Sequence, residues 1–268
     1  MRNLPIFVIL MGLKSVSRLF WKPGAKWVGQ KPKNFKDVKV FALLNHTSLF
    51  EPLLVGAFPT SLVREMSRRM IYPVADKTYN RPIAGRFFRL LAPGTVSLTR
   101  SRDESWKLFT EMARNQNALV GIAPEGRMKR PNGLDRHGRP MNMKTGIADL
   151  LNDIDSGQML LLYSGGLHHI QKPGNGFPKL FKKISIKFEV VDIATYKKQL
   201  QAQHPDKPFP KQVTSDLERR RDMNCEDIQE MTTKQAGEAK VRDQSRQNQF
   251  LGDHVVSGLS GQQQASRS

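Results

Sequence analysis

Short apolar runs recur along this chain at residues 38–44, 71–75, 95–98, 118–123 and 159–163, and most are separated by stretches with helical spacing. Runs of four to seven mostly aliphatic residues are strand-sized, whereas a buried helix needs about ten or more. Strands that alternate with helices are joined by crossovers, and crossovers bring neighbours into parallel register. The pattern therefore predicts an α/β fold, a mixed and mostly parallel sheet flanked by helices. Residues 183–191 (KISIKFEVV) alternate apolar and polar side chains and read as a further, half-exposed strand. Residues 83–91 have helical spacing, and Ser101 to Glu104 reads as a capping box that opens a helix to about Asn115.

A chain of 268 residues can bury a sizeable core, and about 200 of them suffice for one such domain. The single cysteine, Cys225, excludes an internal disulfide framework and a multi-cysteine zinc site. Lysine and arginine number 43 against 24 acidic residues, a formal charge of +19, which points to anionic partners: nucleic acid, acidic lipid headgroups or phosphorylated small substrates. The sequence carries no zinc finger, recognition helix or aromatic-studded RNA-binding strand, so nucleic acid is not the expected partner. His168 and His169 have no carboxylate at ligand spacing beside them, and no metal is expected there.

Residues 4–13 (LPIFVILMGL) are almost wholly apolar, but ten residues of helix span only about 15 Å, half of a bilayer's hydrocarbon core. Lys14, Ser15, Arg18, Trp21 and Lys22 follow where a secretory signal would need a small-residue cleavage site. Bases and the indoles of Trp21 and Trp27 flanking an apolar helix suit a segment lying in a membrane interface, on the cytoplasmic face and without crossing. A helix of a soluble core fits the same residues.

Just past the first apolar run stand Asn45, His46 and, five positions beyond the histidine, Glu51. Five positions turn two side chains roughly 140° apart on a helix and to opposite faces on a strand, so this pair meets only across a bend. Residues 45–50 supply a turn, and Pro52 suits the first position of a following helix. A carboxylate at that helix start can accept the proton on one imidazole nitrogen, leaving the other nitrogen to take a proton from a substrate. A histidine satisfied by backbone in an ordinary strand-to-helix loop reads the same way. Arg100 precedes a helix N-terminus, a combination of cation and free N–H groups suited to phosphate. After residues 118–123 come Pro124, Glu125, Gly126 and Arg127, then Lys129 and Arg130. Gly126 admits close approach of a ligand, Glu125 can accept from substrate hydroxyls, and the cations supply positive charge. Taken alone, the tetrapeptide is equally a plain turn and Arg100 equally a solvated surface residue.

In this order the segments resemble the glycerophospholipid acyltransferases, the PlsC-like enzymes that acylate lysophosphatidic acid and related lysolipids. The family's first motif, Asn-His followed by four residues and Asp, is matched by Asn45, His46 and Glu51, with Glu for Asp. The second is matched from Gly94 to Arg100, and the third, usually Phe-Pro-Glu-Gly-Thr-Arg, at Pro124, Glu125 and Gly126. Lys144 and Gly146 resemble the Lys-x-Gly that follows it. The chain departs from the pattern at Ala123, normally aromatic, at Arg127, normally a small hydroxyl residue, and at Tyr163-Ser164-Gly165, where the fourth motif has a proline. The likeness covers about residues 38–165.

The resemblance implies transfer of a fatty acyl chain from acyl-CoA or an acyl carrier protein to the hydroxyl of a lysophospholipid such as 1-acylglycerol-3-phosphate, with no cofactor or metal. His46 would be the base and Glu51 the group that stabilises its imidazolium. Asn45, Arg100, Pro124, Glu125 and Gly126, with Arg127 and Lys129, would hold the acceptor. The expected organisation is a membrane-interface segment and basic linker at 1–30, an acyltransferase domain at 31–200, a helical extension at 201–234 and a disordered polar tail at 235–268. Two rivals stand beside it. One is a non-catalytic basic protein that binds membrane or nucleic acid on a degenerate acyltransferase fold. The other is a hydrolase using the same histidine to activate water.

Overall fold

The most apolar of the runs lie side by side at the centre of one sheet. Strands β2 (Val38–Leu44), β5 (Leu119–Ile122) and β6 (Gln158–Ser164) are buried almost end to end, as strands covered on both faces are. The structure is a computed structural model that describes residues 3–92, 94–99, 101–172 and 176–229. One unit runs from Met1 to Glu226, and a second from Asp227 to Ser268, of which only 227–229 are described.

Seven strands form the sheet in the order β1-β7-β6-β2-β5-β3-β4, completed by β1 (Lys22–Val28), β3 (Met70–Ala75), β4 (Gly94–Leu98) and β7 (Lys183–Asp192). Among these strands only the β6–β7 pair is antiparallel. The expected mixed, mostly parallel α/β sheet is therefore what the chain adopts. Its middle strand, β2, pairs in parallel with β5 on one side and β6 on the other. The carboxyl ends of all three converge on one edge, the place where open α/β sheets gather ligands.

The helices are α1 (Asn3–Phe20), α2 (Thr60–Arg69), α3 (Asp76–Tyr79), α4 (Ala84–Leu91), α5 (Glu104–Ala113), α6 (Gly146–Asn152), α7 (Ile193–Gln203) and α8 (Phe209–Asn224), with a 3₁₀ turn at Glu51–Ala57. Helix α1 is 18 residues long, about 27 Å, rather than ten residues, and is long and apolar enough to cross a membrane. Here it lies along the domain and buries Ile6, Leu10, Lys14 and Ser17, one face of the helix. Lys14 Nζ donates to the carbonyl of Phe58 (2.5 Å), Ser17 Oγ to that of Leu53 (2.7 Å) and Arg18 Nε to that of Gly56 (2.9 Å). A Cβ on Gly56 would sit 2.2 Å from Ser17 Oγ, so the close seat of α1 on the 3₁₀ turn requires glycine.

Several expectations change. Residues 22–28, read as linker, are edge strand β1; their partner β7 lies far along the chain, so nothing local marks them as a strand. The indoles expected at a membrane interface face the protein: Trp21 is buried and donates to Lys179 O (2.9 Å), and Trp27 stacks on Phe188 at 5.0 Å. Helix α5 is capped by Asp103, which accepts from Ser105 N at 3.0 Å, because its short side chain reaches the first-turn amide that Ser101 does not. The helix placed within the 201–234 extension begins at Phe209, and the unforeseen α7 precedes it, burying Ile193, Tyr196 and Leu200 on one face. Residues 230–234 of the extension and the tail at 235–268 lie outside the described residues.

Candidate active site

At the carboxyl end of β2 the backbone must leave the sheet abruptly. Asn45 makes the corner with a positive φ of 71°, a conformation that asparagine tolerates better than most side chains, and its Nδ2 donates to the carbonyl of Ser164 at the end of β6 (2.8 Å). The corner turns the next residues back over the sheet edge. Glu51, at the start of the 3₁₀ turn, is buried there and accepts at Oε1 from the amides of Thr47 (2.6 Å) and Ser48 (3.3 Å). Its Oε2 is hydrogen-bonded to His46 Nδ1. The bend thus closes the pair that the sequence spacing demanded.

A carboxylate acceptor at Nδ1 fixes the proton there and leaves Nε2 as the basic nitrogen. Burial on its own would lower the His46 pKa, but the charge and hydrogen bond of Glu51, with the charge of Glu125, outweigh it and raise the pKa above 6.5. The loop is pinned elsewhere too: Leu167 N donates to Thr47 Oγ1 (2.9 Å) and Ser48 Oγ to Gln171 Oε1 (2.7 Å).

Glu125, after β5, is fully buried and turned inward rather than toward a ligand. Its Oε2 accepts from His46 N (2.8 Å), and its Oε1 from Asn45 N (3.3 Å) and from Arg221 Nη1 (3.1 Å). The carboxylate thus braces the histidine loop from beneath. Burial pushes the Glu125 pKa up, offset in part by Arg221 and the His46 amide. The carbonyl of Pro124 accepts from Lys144 N (2.8 Å), and Gly126 turns with a φ of 62° that favours glycine.

Arg127, expected beside the acceptor, folds into its own loop: Nη1 meets Asp135 Oδ2 at 2.5 Å and Nη2 the carbonyl of Pro140 at 3.1 Å. The charge-assisted pair with Asp135 ties the guanidinium to the loop. Lys129 is buried; its amide donates to the His46 carbonyl (2.7 Å) and its own carbonyl accepts from His168 Nε2 (2.8 Å). Arg100 lies outside the described residues. Sequence reasoning missed Arg221 and Glu218 of α8. The Arg219-Arg220-Arg221 run was visible, but nothing local tells which of three arginines reaches a carboxylate 96 positions away.

Beside the imidazole opens an apolar pocket, bounded by α1 (Leu10, Leu13), β2 (Phe41, Leu43) and α4 (Phe88, Leu91). His46, Ser48 and Glu51 lie in its wall, and the His46 side chain keeps 21% of its surface accessible. Tyr72 shares the wall, and burial, with the Glu51 charge, pushes its phenol pKa up.

The fold and the pair define a class: α/β proteins that set a histidine and a carboxylate at the carboxyl edge of a mostly parallel sheet, against an apolar pocket. The sequence narrows that class. Residues 29–159 match the family model described as Acyltransferase. The backbone is also similar to the crystal structure of the 1-acyl-sn-glycerophosphate (LPA) acyltransferase PlsC from Thermotoga maritima, at 16% identity over 79% of this chain and 79% of that one, with a TM-score of 0.45. No curated protein matches the chain in sequence.

Proposed function

We propose that this acyltransferase moves a fatty acyl chain from a thioester, acyl-CoA or an acyl carrier protein, to the hydroxyl of a lysophospholipid at a membrane surface. The observation that carries the reading is the His46–Glu51 pair in the wall of a pocket lined almost wholly by apolar side chains. His46 Nε2 takes the acceptor's hydroxyl proton as the oxygen attacks the thioester carbonyl. The C–O bond forms, the C–S bond breaks, and the imidazolium returns its proton to the departing thiolate. Glu51 stabilises the imidazolium between those two events. Holding both reactants at one place contributes several kcal/mol, because a bimolecular step becomes effectively unimolecular.

The surface beside the cavity supports a lipid location. Along α1 the outward residues Leu4, Val8, Val16 and Leu19 are exposed, as are Phe87 and Leu90 of neighbouring α4 and Ile83 just before it. At the end of α1 the loop carrying Phe177 (94% exposed), Leu180 and Phe181 interleaves apolar tips with Lys179, Lys182 and Lys183. Apolar side chains among lysines suit an anionic bilayer, so the enzyme sits there as a peripheral protein.

The test is His46→Ala with a long-chain acyl thioester and lysophosphatidate. Transfer should vanish while the melting profile and vesicle binding persist; retained transfer removes His46 from the mechanism. Free fatty acid released without acceptor by the native protein would replace acyl transfer with hydrolysis.

A further inference from the structure

We infer that Arg221 is a positioning residue for the His46 base, acting through Glu125, so that helix α8 belongs to the working parts of the enzyme although it lies beyond the residues that match the family model. The inference rests on the reading of His46 as the base.

The contacts form a continuous relay. Arg221, only 12% exposed, bonds Glu125 Oε1 and donates to the carbonyl of Met141 at 2.5 Å. The carboxylate of Glu125 in turn holds the amides of Asn45 and His46. Those amides fix the corner from which the imidazole projects toward Glu51. One turn earlier on α8, Glu218 Oε1 accepts from Met143 N (2.7 Å), so two side chains of the helix grip both sides of Asn142. Arg221 therefore ties together both ends of the basic loop between β5 and α6 and, through Glu125, the histidine corner.

The helix that delivers Arg221 is itself held to the sheet. Arg220 Nη1 meets Glu189 of β7 at 2.5 Å and its Nε meets Asp216 at 2.7 Å, while Glu189 is also bonded to the hydroxyl of Tyr163 at the end of β6. Adjacent arginines thus do different things: one seats the helix and the other reaches the catalytic corner. A buried carboxylate with no cation nearby would take up a proton, and the oxygen that carries it becomes a donor and a poorer acceptor for its amide. The charged groups around Glu125 are His46 from the β2 corner, Arg221 with Asp222 behind it from α8, and Lys144, whose stem passes within 3.5 Å of where a Cβ on Gly126 would lie. Of these cations, Arg221 is the one whose side chain is bonded to it.

The experiment compares native protein with Arg221→Met, Arg221→Lys, Glu125→Gln and the Arg221→Met/Glu125→Gln double variant, with Arg219→Met as a control on the exposed side of α8. In Arg221→Met, kcat should fall about 10- to 100-fold with the KM for lysophosphatidate within about threefold, the size expected when a buried acceptor loses its charged partner. Lysine should restore part of the loss. The double variant should be no slower than Glu125→Gln alone, since both changes break the same relay. Hydrogen exchange at the Asn45 and His46 amides should accelerate in Arg221→Met and Arg221→Lys but not in Arg219→Met. Additive losses in the double variant, or unchanged protection of those two amides, overturn the inference. Should the methionine variant fail to fold, the lysine variant decides by the same two readouts. A native protein that transfers no acyl chain overturns the acyl-transfer reading instead, and the exchange measurement still settles whether Arg221 holds the corner.

Discussion

Replacing Glu51 by glutamine removes one charge and changes no heavy-atom count, and its effect follows from the bonds around the carboxylate. If the oxygen of the new side-chain amide faced His46 Nδ1–H, its NH₂ would confront the backbone amides of Thr47 and Ser48, now 2.6 and 3.3 Å from Oε1. Two buried donors would be left without acceptors, at about 1–3 kcal/mol each. The opposite orientation keeps both backbone bonds and points the NH₂ at Nδ1. That orientation wins, and it forces Nδ1 to accept, so the proton moves to Nε2. A protonated Nε2 has no lone pair for the acceptor's hydroxyl. The expected loss in kcat is about 10³-fold or more, roughly 4 kcal/mol, with folding intact. Burial, no longer opposed by the Glu51 charge, lowers the His46 pKa, so the acid limb of the remaining activity moves down in pH. Glu51→Asp keeps the charge but is one methylene short of reaching His46 and the two amides together, and a loss of about tenfold is expected. Thiol release from a long-chain acyl thioester in the presence of lysophosphatidate, followed from about pH 5 to about pH 9 so as to span the histidine range, reads all three proteins. Activity in the glutamine variant above about one tenth of native, or an acid limb that stays in place, refutes the tautomer argument.

The native protein should itself lose activity as pH falls through the raised pKa of His46, above 6.5, because protonation removes the base. Gly56→Ala should lower stability by about 1–3 kcal/mol and loosen α1, since its Cβ would displace Ser17; an unchanged melting temperature contradicts the close seat. Ala92→Phe, in the cavity wall beyond α4, should shift donor preference toward chains shorter by roughly two to four methylenes without abolishing transfer, as measured by product lipid analysis. Phe177→Ser with Phe181→Ser should weaken binding to anionic vesicles at least about threefold and leave turnover of a detergent-dispersed acceptor unaltered.

The sheet's centre was readable because β2, β5 and β6 are buried on both faces, and a strand so placed must be apolar throughout. The His46–Glu51 pair was readable for a different reason: five positions cannot bring two side chains together except across a bend, and Pro52 marked where the bend ends. Edge strand β1 was not, because Lys-Pro-Gly-Ala-Lys-Trp-Val gains its strand character only by pairing with β7. The inward turn of Glu125 and the self-contained bond of Arg127 to Asp135 were equally hidden. A sequence shows that a carboxylate or guanidinium is present, but the partner that claims it is fixed by tertiary structure. Arg221 is the extreme case, a surface-like residue type on a polar helix whose role exists only because α8 lies over the carboxyl edge.

The order of the sheet has a consequence for how the chain is made. Strand β1 is synthesised first, yet its neighbour in the sheet is β7, the last of the seven strands to appear. A nascent chain can assemble β2 to β6 as they leave the ribosome while residues 22–28 wait for a template that does not yet exist. Closure of this border is a contact between the two ends of the domain, entropically costly and correspondingly late. Any chain interrupted before residue 183 leaves β1 without its partner and β6 with an unpaired edge, which makes truncated products candidates for aggregation and quality control rather than for partial activity.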